Sequence, residues 1–230
     1  MKLTSVRRKS RQAPAPVESG KLLFLLKNDV KPQSISWIMP RDSWILDRAQ
    51  IQPTFESIGN ALTSQIIPGS QSEDIDDFCD KISKAGGLLR IDDNVKPTMY
   101  RCSTVTKAEL EQLKRVENII RKGRVKSIND TEIVLEHGSI PTNLETLHVD
   151  CAGDGLAKRP SVPIFNERKI TLQSVRTCQQ VFSAGLLGYV EASFKDDAKK
   201  NELCKPVPHP NTDIDFLWNI LADVINRANW

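Results

Sequence analysis

No apolar run in this chain approaches the roughly 20 residues that span a bilayer, and the N-terminus has no apolar core of the kind a secretory signal needs. The expectation is a cytoplasmic protein with no membrane span. Residues 1–17 are basic, contain serine and carry no acid, which leaves a mitochondrial presequence as the alternative. The five cysteines, Cys79, Cys102, Cys151, Cys178 and Cys204, are widely spaced and form no CxxC pair, and no His/Cys metal spacing exists. Zinc and dithiol redox chemistry therefore have little support, free thiols in a reducing compartment are the favoured reading, and no metal site is expected. There is no GxSxG elbow, and the three histidines, His137, His148 and His209, sit in or beside turns without a nucleophile at a paired spacing. A phosphate-binding loop also fails: SGK at Ser19–Lys21 would need glycine where Ala15 stands and Ser or Thr where Leu22 stands.

Charge of one sign is also scarce in the body of the chain. The net charge is +3, yet Lys2, Arg7, Arg8, Lys9 and Arg11 all precede the first acid, Glu18. Removing those five from 32 Lys and Arg leaves 27 against 29 Asp and Glu, so the body is slightly acidic. A nucleic-acid surface needs clustered positive charge on the folded part, so nucleic acid is not expected as a partner. With 39% hydrophobic residues in 230, the chain can fill a core.

Gly20–Val30 (GKLLFLLKNDV) reads as a helix and Ile35–Met39 as a short buried strand, the second half of a βαβ unit. The first strand should precede residue 20, where MKLTSVRRKSRQAPAPV offers no strand-like apolar run. Pro14 and Pro16 would interrupt a helix, so residues 1–17 are read as a disordered tail. Helices are expected over Ile51–Ile67, Glu73–Ala85 and from Thr106, which opens a capping box with Glu109; an irregular polar stretch precedes Thr106. Asn129-Asp130 joins two extended segments as a hairpin, and Leu147–Cys151 reads as a buried strand. Thr177–Phe194 is expected as a long buried helix, and Asp213–Ala228 as an amphipathic one.

Three places carry candidate chemistry. Arg41 and Asp42 follow a buried strand directly, 21 positions after Gly20, near the spacing at which a nucleotide-binding unit reads the ribose or its 2′-phosphate. Arg41 could clasp that phosphate with two parallel donors, or be a solvated arginine at a strand end. Gly153-Asp154-Gly155 follows the strand Leu147–Cys151, a turn open to close ligand approach or a plain turn. The polar stretch from Gln173 to Thr177 opens the long helix, whose N-terminus stabilises negative charge, while helix packing accounts equally for its small residues.

Together, LLKNDVKPQSISWIMPRDSWILDRAQIQP (Leu25–Pro53), TLHVDCAGDGL (Thr146–Leu156) and VPIFNERKITLQSVRTCQQVFSAGLLGYVEA (Val162–Ala192) resemble FAD- and NAD(P)H-dependent oxidoreductases, similar to flavin-containing monooxygenases and pyridine-nucleotide-disulfide oxidoreductases. The resemblance implies an α/β protein, an incomplete two-dinucleotide-binding-domain (Rossmann-like) flavoprotein fold with a small antiparallel β meander. Its implied divisions are a partial NAD(P)-binding domain over 18–145, with a helical insertion and the meander, and the C-terminal part of an FAD-binding domain over 146–230. It implies FAD and NAD(P)H as cofactors and a small-molecule substrate, with Arg41 and Asp42 at the NAD(P) ribose, Gly153, Asp154 and Gly155 near the flavin, and Gln173 and Thr177 near its pyrimidine ring. The glycine fingerprints of both nucleotide sites are missing, so the expectation is a truncated oxidoreductase, or else a non-catalytic remnant or interaction protein. A protein partner or second chain completing the fold belongs to either expectation.

Overall fold

The computed structural model describes residues 2–6, 15–52, 54–151 and 160–230. It is a mixed α/β chain that divides into two units, Met1–Leu156 and Ala157–Trp230.

In chain order the first unit carries β1 (Lys2–Val6), α1 (Ala15–Lys27), β2 (Ile35–Ile38), β3 (Ser43–Asp47), α2 (Phe55–Ser70), α3 (Ile75–Lys84), β4 (Leu88–Leu89), β5 (Met99–Val105), α4 (Lys107–Lys114), β6 (Ile119–Ile120), β7 (Val125–Ile128), β8 (Glu132–Leu135), β9 (Gly138–Pro141) and β10 (Thr146–Asp150). Four of these strands form one sheet in the order β10-β1-β2-β6, and every pairing in it is parallel. A three-stranded sheet, β4-β3-β5, and an antiparallel meander, β7-β8-β9, complete the unit.

The first strand of the βαβ unit is therefore present at residues 2–6 and residues 15–17 are helical, against the expectation of a disordered tail; residues 1 and 7–14 of that tail lie outside the described residues. β1 is only KLTSV, but it is hydrogen-bonded on both sides, by β2 and by β10, so backbone pairing replaces the apolar run that a sequence search looks for. Pro16 does not break α1, because it falls in the first turn, where a missing N–H costs nothing. Gly20 consequently lies inside the helix and not at its N-terminus. β10 also departs from expectation. It was assigned with residues 146–230, yet it pairs residue for residue with β1, Lys2 to Thr146 through Val6 to Asp150, and belongs to the first unit. Pairing, not position in the chain, decides a strand's domain. Its side chains are half-buried or exposed, not buried.

One apolar core lies where Leu22 and Leu26 of α1, Ile35 and Trp37 of β2, and Leu110, Leu113 and Val116 around α4 come together. A second joins Ile38 to Val125, Ile133 and Leu135 of the meander. The Asn129 carboxamide oxygen accepts from the backbone N–H groups of Thr131 and Glu132, which is the hairpin turn that Asn129-Asp130 announces.

The capping box at α4 forms as read: Glu109 N–H donates to Thr106 Oγ1 at 3.1 Å, and Thr106 N–H donates to Glu109 Oε2 at 2.7 Å. Those bonds, with Arg48 beside the carboxylate, hold the Glu109 carboxyl below its ordinary value. A carboxyl lowered on folding adds stability above its unfolded pKa, and that stability is lost as pH falls through the folded value. Thr106→Ala is expected to cost about 1 kcal/mol at neutral pH and nearly as much at pH 3, read from denaturant midpoints at the two pH values, because alanine keeps the backbone N–H that chiefly lowers Glu109.

The second unit holds β11 (Phe165–Asn166) and β12 (Lys169–Ile170), an antiparallel pair, followed by α5 (Gln180–Ser193), α6 (Asp197–Leu203) and α7 (Ile214–Asn229). Its core is Ile164, Phe165, Val175, Leu187, Val190, Leu203 and Cys204. The helix expected from Thr177 starts at Gln180 and is only partly buried: Ser183, Leu187 and Val190 face inward, while Val181 and Tyr189 are exposed. α7 buries Phe216, Asn219, Asp223 and Asn226 and leaves Trp218, Leu221 and Ile225 exposed. Apart from Phe216, the face it turns inward is polar.

Candidate functional site at the carboxyl edge of the parallel sheet

In open α/β sheets a ligand meets the crevice outside the carboxyl ends of parallel strands, where the strand order reverses. The chain runs from β1 to β2 on one side and returns with β10 on the other, so that point lies between β1 and β10. Around this edge stand Arg41 after β2, Arg121 after β6, and Asp150 and the buried Cys151 at the end of β10. From α1, Lys21 Nζ donates to the Asp150 carbonyl at 3.3 Å.

Arg41 and Asp42 have separate partners. The Arg41 guanidinium is half-buried and donates to Thr98, through Nε to Oγ1 at 3.3 Å and through Nη2 to the carbonyl oxygen. Asp42 is buried, and its carboxylate takes both donors of Arg121, Nε to Oδ2 at 2.8 Å and Nη2 to Oδ1 at 3.0 Å. Arg121 also lies 3.3 Å from Asp92, and its pKa is raised, chiefly by the hydrogen bonds to Asp42. The Asp42 carbonyl accepts Thr98 N–H at 3.2 Å. The residues after β2 are thus stitched to the segment entering β5 and to the end of β6. Asp42 tethers this segment to Arg121, and Arg41 stands beside it at the sheet edge.

Of the other expected residues, Gly153, Asp154 and Gly155 lie outside the described residues. Gln173 and Thr177 are not at a helix N-terminus, since α5 begins at Gln180 with no side-chain cap on Gln179. The Gln173 carboxamide clamps Val162, accepting its N–H at 3.1 Å and donating to its carbonyl at 2.6 Å, and Thr177 adopts a positive φ of 38°. The polar stretch read as the start of a helix is a loop that satisfies its own backbone. The structure therefore leaves Arg41 at the sheet edge and gathers neither Gln173 nor Thr177 into a helix-terminal charge site.

Sequence reasoning missed Arg121 as the partner of Asp42. The signal was available, because Ile119-Ile120-Arg121 repeats the pattern of a short apolar run closed by an arginine. Among the described residues no group of three or more His, Cys, Asp and Glu could hold a metal ion, and no helix is long and apolar enough to cross a membrane. The Cys204 thiol is pushed up to about 11 by burial and stays protonated at neutral pH.

No family model and no solved structure matches the chain. Three curated relatives do. It is 48% identical over 215 residues to Uncharacterized protein Rv2000 of Mycobacterium tuberculosis and, to the same extent, to Uncharacterized protein Mb2023 of Mycobacterium bovis. The matched region covers 90% of this chain and 39% of each relative, so the chain spans about two fifths of the length of the curated relatives it matches.

Proposed function

We propose that this chain is part of an FAD- and NAD(P)H-dependent oxidoreductase, a class in which hydride leaves NAD(P)H for a flavin and passes to oxygen or another acceptor, and that its first unit is the piece that meets the pyridine nucleotide. One observation carries the reading. The parallel sheet, followed from β6 through β2 and β1 to β10, sets the third, second, first and last parallel strands side by side. That order is the one used by doubly wound nucleotide-binding sheets. Arg41 follows the second strand in this order, at the edge where a ribose phosphate would lie. Its guanidinium would move from Thr98 to a 2′-phosphate, while Asp42 and Arg121 hold the segment in place.

The flavin half of the reading has less to stand on. With the Gln173 carboxamide spent on Val162 and α5 starting only at Gln180, the described residues do not assemble a charge-stabilising site for a reduced flavin. No flavin step is assigned to them. The same observation favours the second reading, a non-catalytic or interaction protein that keeps part of such a fold.

Titrating the purified chain with NADPH and NADH, followed by nicotinamide fluorescence, separates the two. The oxidoreductase reading expects NADPH to bind more tightly than NADH. It also expects Arg41→Ala to weaken NADPH by about tenfold, the scale of a charge-assisted hydrogen bond, and to leave NADH unchanged. No measurable binding of either nucleotide, together with no flavin retained through gel filtration, leaves the interaction protein.

A further inference from the structure

Away from that edge, a ligand-sized space opens in the first unit, at the carboxyl end of another parallel pair. β3 and β5 run parallel, and their last residues, Asp47 and Val105, stand opposite each other in register. Beyond them lies a cavity of about 580 Å³, lined by residues of the segment after β3, of α2 and of the first turn of α4. That volume falls within the roughly 300–1,000 Å³ typical of small-molecule sites.

We propose that this cavity binds a vicinal diol, of the kind carried by a free sugar or by the ribose of a nucleoside. The chemistry of its lining selects that class. Asp47 is 4% exposed. Its Oδ1 accepts Ala49 N–H at 3.1 Å, while Oδ2 has Lys107 Nζ at 3.9 Å, beyond hydrogen-bond length. A buried carboxylate oxygen so placed is a strong acceptor for ligand hydroxyls. Asn60, Thr63 and Ile67 follow at i, i+3 and i+7 of α2 and share one face of the helix. They offer an amide, a hydroxyl and an apolar strip against which the C–H face of a sugar ring can lie. Thr63 donates its own proton to the Gly59 carbonyl at 2.9 Å, which leaves its oxygen as an acceptor. Among the described residues the charged groups lining the cavity are one carboxylate, Asp47, and one ammonium, Lys107. An anionic ligand would meet Asp47 and a cationic one Lys107, so a neutral ligand rich in hydroxyls fits both.

Saturation-transfer NMR on the full chain with methyl glucoside and with adenosine, each at millimolar concentration, tests the proposal. Transfer to methyl glucoside identifies a free-sugar site, transfer to adenosine a nucleoside site, and transfer to both identifies recognition of the diol itself. Asp47→Asn is expected to weaken the bound probe by about tenfold. Asn60→Ala, at an exposed helical position that the fold does not need, is expected to weaken it about threefold. Loss of signal in Asp47→Asn and Asn60→Ala places the probe in this cavity whatever the fate of the nucleotide reading, because neither residue belongs to the sheet that carries Arg41. The proposal is overturned if neither probe shows transfer. Signals that persist unchanged in both cavity variants, or equal signals from dideoxyadenosine, which lacks the diol, overturn it as well.

Discussion

Arg121→Ala is expected to destabilise the first unit by about 3–5 kcal/mol, the penalty of leaving a buried charge without its partner. Asp42 is 8% exposed and Arg121 presents two nearly parallel donors to it, at 2.8 and 3.0 Å. Removing the guanidinium strips both oxygens at once and leaves a carboxylate that burial alone disfavours. For a chain of this length each kcal/mol moves the melting midpoint by about 2–4 °C, so a fall of roughly 6–20 °C is expected by circular dichroism. Asp42→Ala combined with Arg121→Ala should lose less than Arg121→Ala alone, because no buried charge is then stranded. A shift under about 2 °C would mark the pair as an ordinary surface contact. The substitution reaches function too, since Asp42 anchors the segment that presents Arg41. NADPH affinity should fall in Arg121→Ala even though Arg121 itself need not touch the ligand.

Much of the first unit could be read before its structure. The capping box at Thr106, the Asn129 hairpin and the apolar strand through Trp37 are each specified by residues within a few positions of one another, and local chemistry decides them. What escaped depends on partners distant in the chain. KLTSV looks like a tail until β2 and β10 close on both its edges. MYRCSTV reads as irregular because the ladder with β3 slips between Trp44 and Ile45, a bulge at Arg101-Cys102 that puts Cys102 at a positive φ of 53°. Arg101 is nonetheless 2% exposed, and a buried arginine hides a strand from any search for apolar alternation. The candidate site follows the same division. That Arg41 stands at a strand end is visible in WIMPR. That Asp42 belongs to Arg121 and Gln173 to Val162 is a matter of tertiary packing. In α7 the helical period is legible and the buried face is not, because period fixes which residues share a face but not which face turns inward.

The inward face of α7 sets the second large expectation, a loss of about 2–4 kcal/mol from the second unit in Asn226→Ala. Asn226 is fully buried, and its Nδ2 donates to the carbonyls of Val175 and Lys205, both at 2.7 Å, tying two loops to one helix. Alanine leaves the buried Val175 carbonyl without its donor, at about 1–3 kcal/mol, and the part-buried Lys205 carbonyl without its own, at about 1 kcal/mol. In a domain of ~60–100 residues every kcal/mol is worth about 4–8 °C, so the second unit should melt first and separately. One turn away Asp223 gives the opposite sign. Burial raises its carboxyl pKa against the pull of Arg227, 2.7 Å away, and of Arg176, and its Oδ1 has no hydrogen-bond partner. A carboxyl raised on folding binds its proton more tightly in the native state, so its contribution is greatest below the unfolded pKa and declines as pH rises toward the folded value. Asp223→Asn removes that ionisation. The variant should therefore be more stable than the parent at pH 7 and converge with it as pH falls into the ordinary carboxylate range, read from urea midpoints across pH 3–7. A parent that gains on the variant as pH rises would mean that the Arg227 pair outweighs burial, and that the polar face of α7 is held by charge pairing instead of by hydrogen bonds such as those of Asn226.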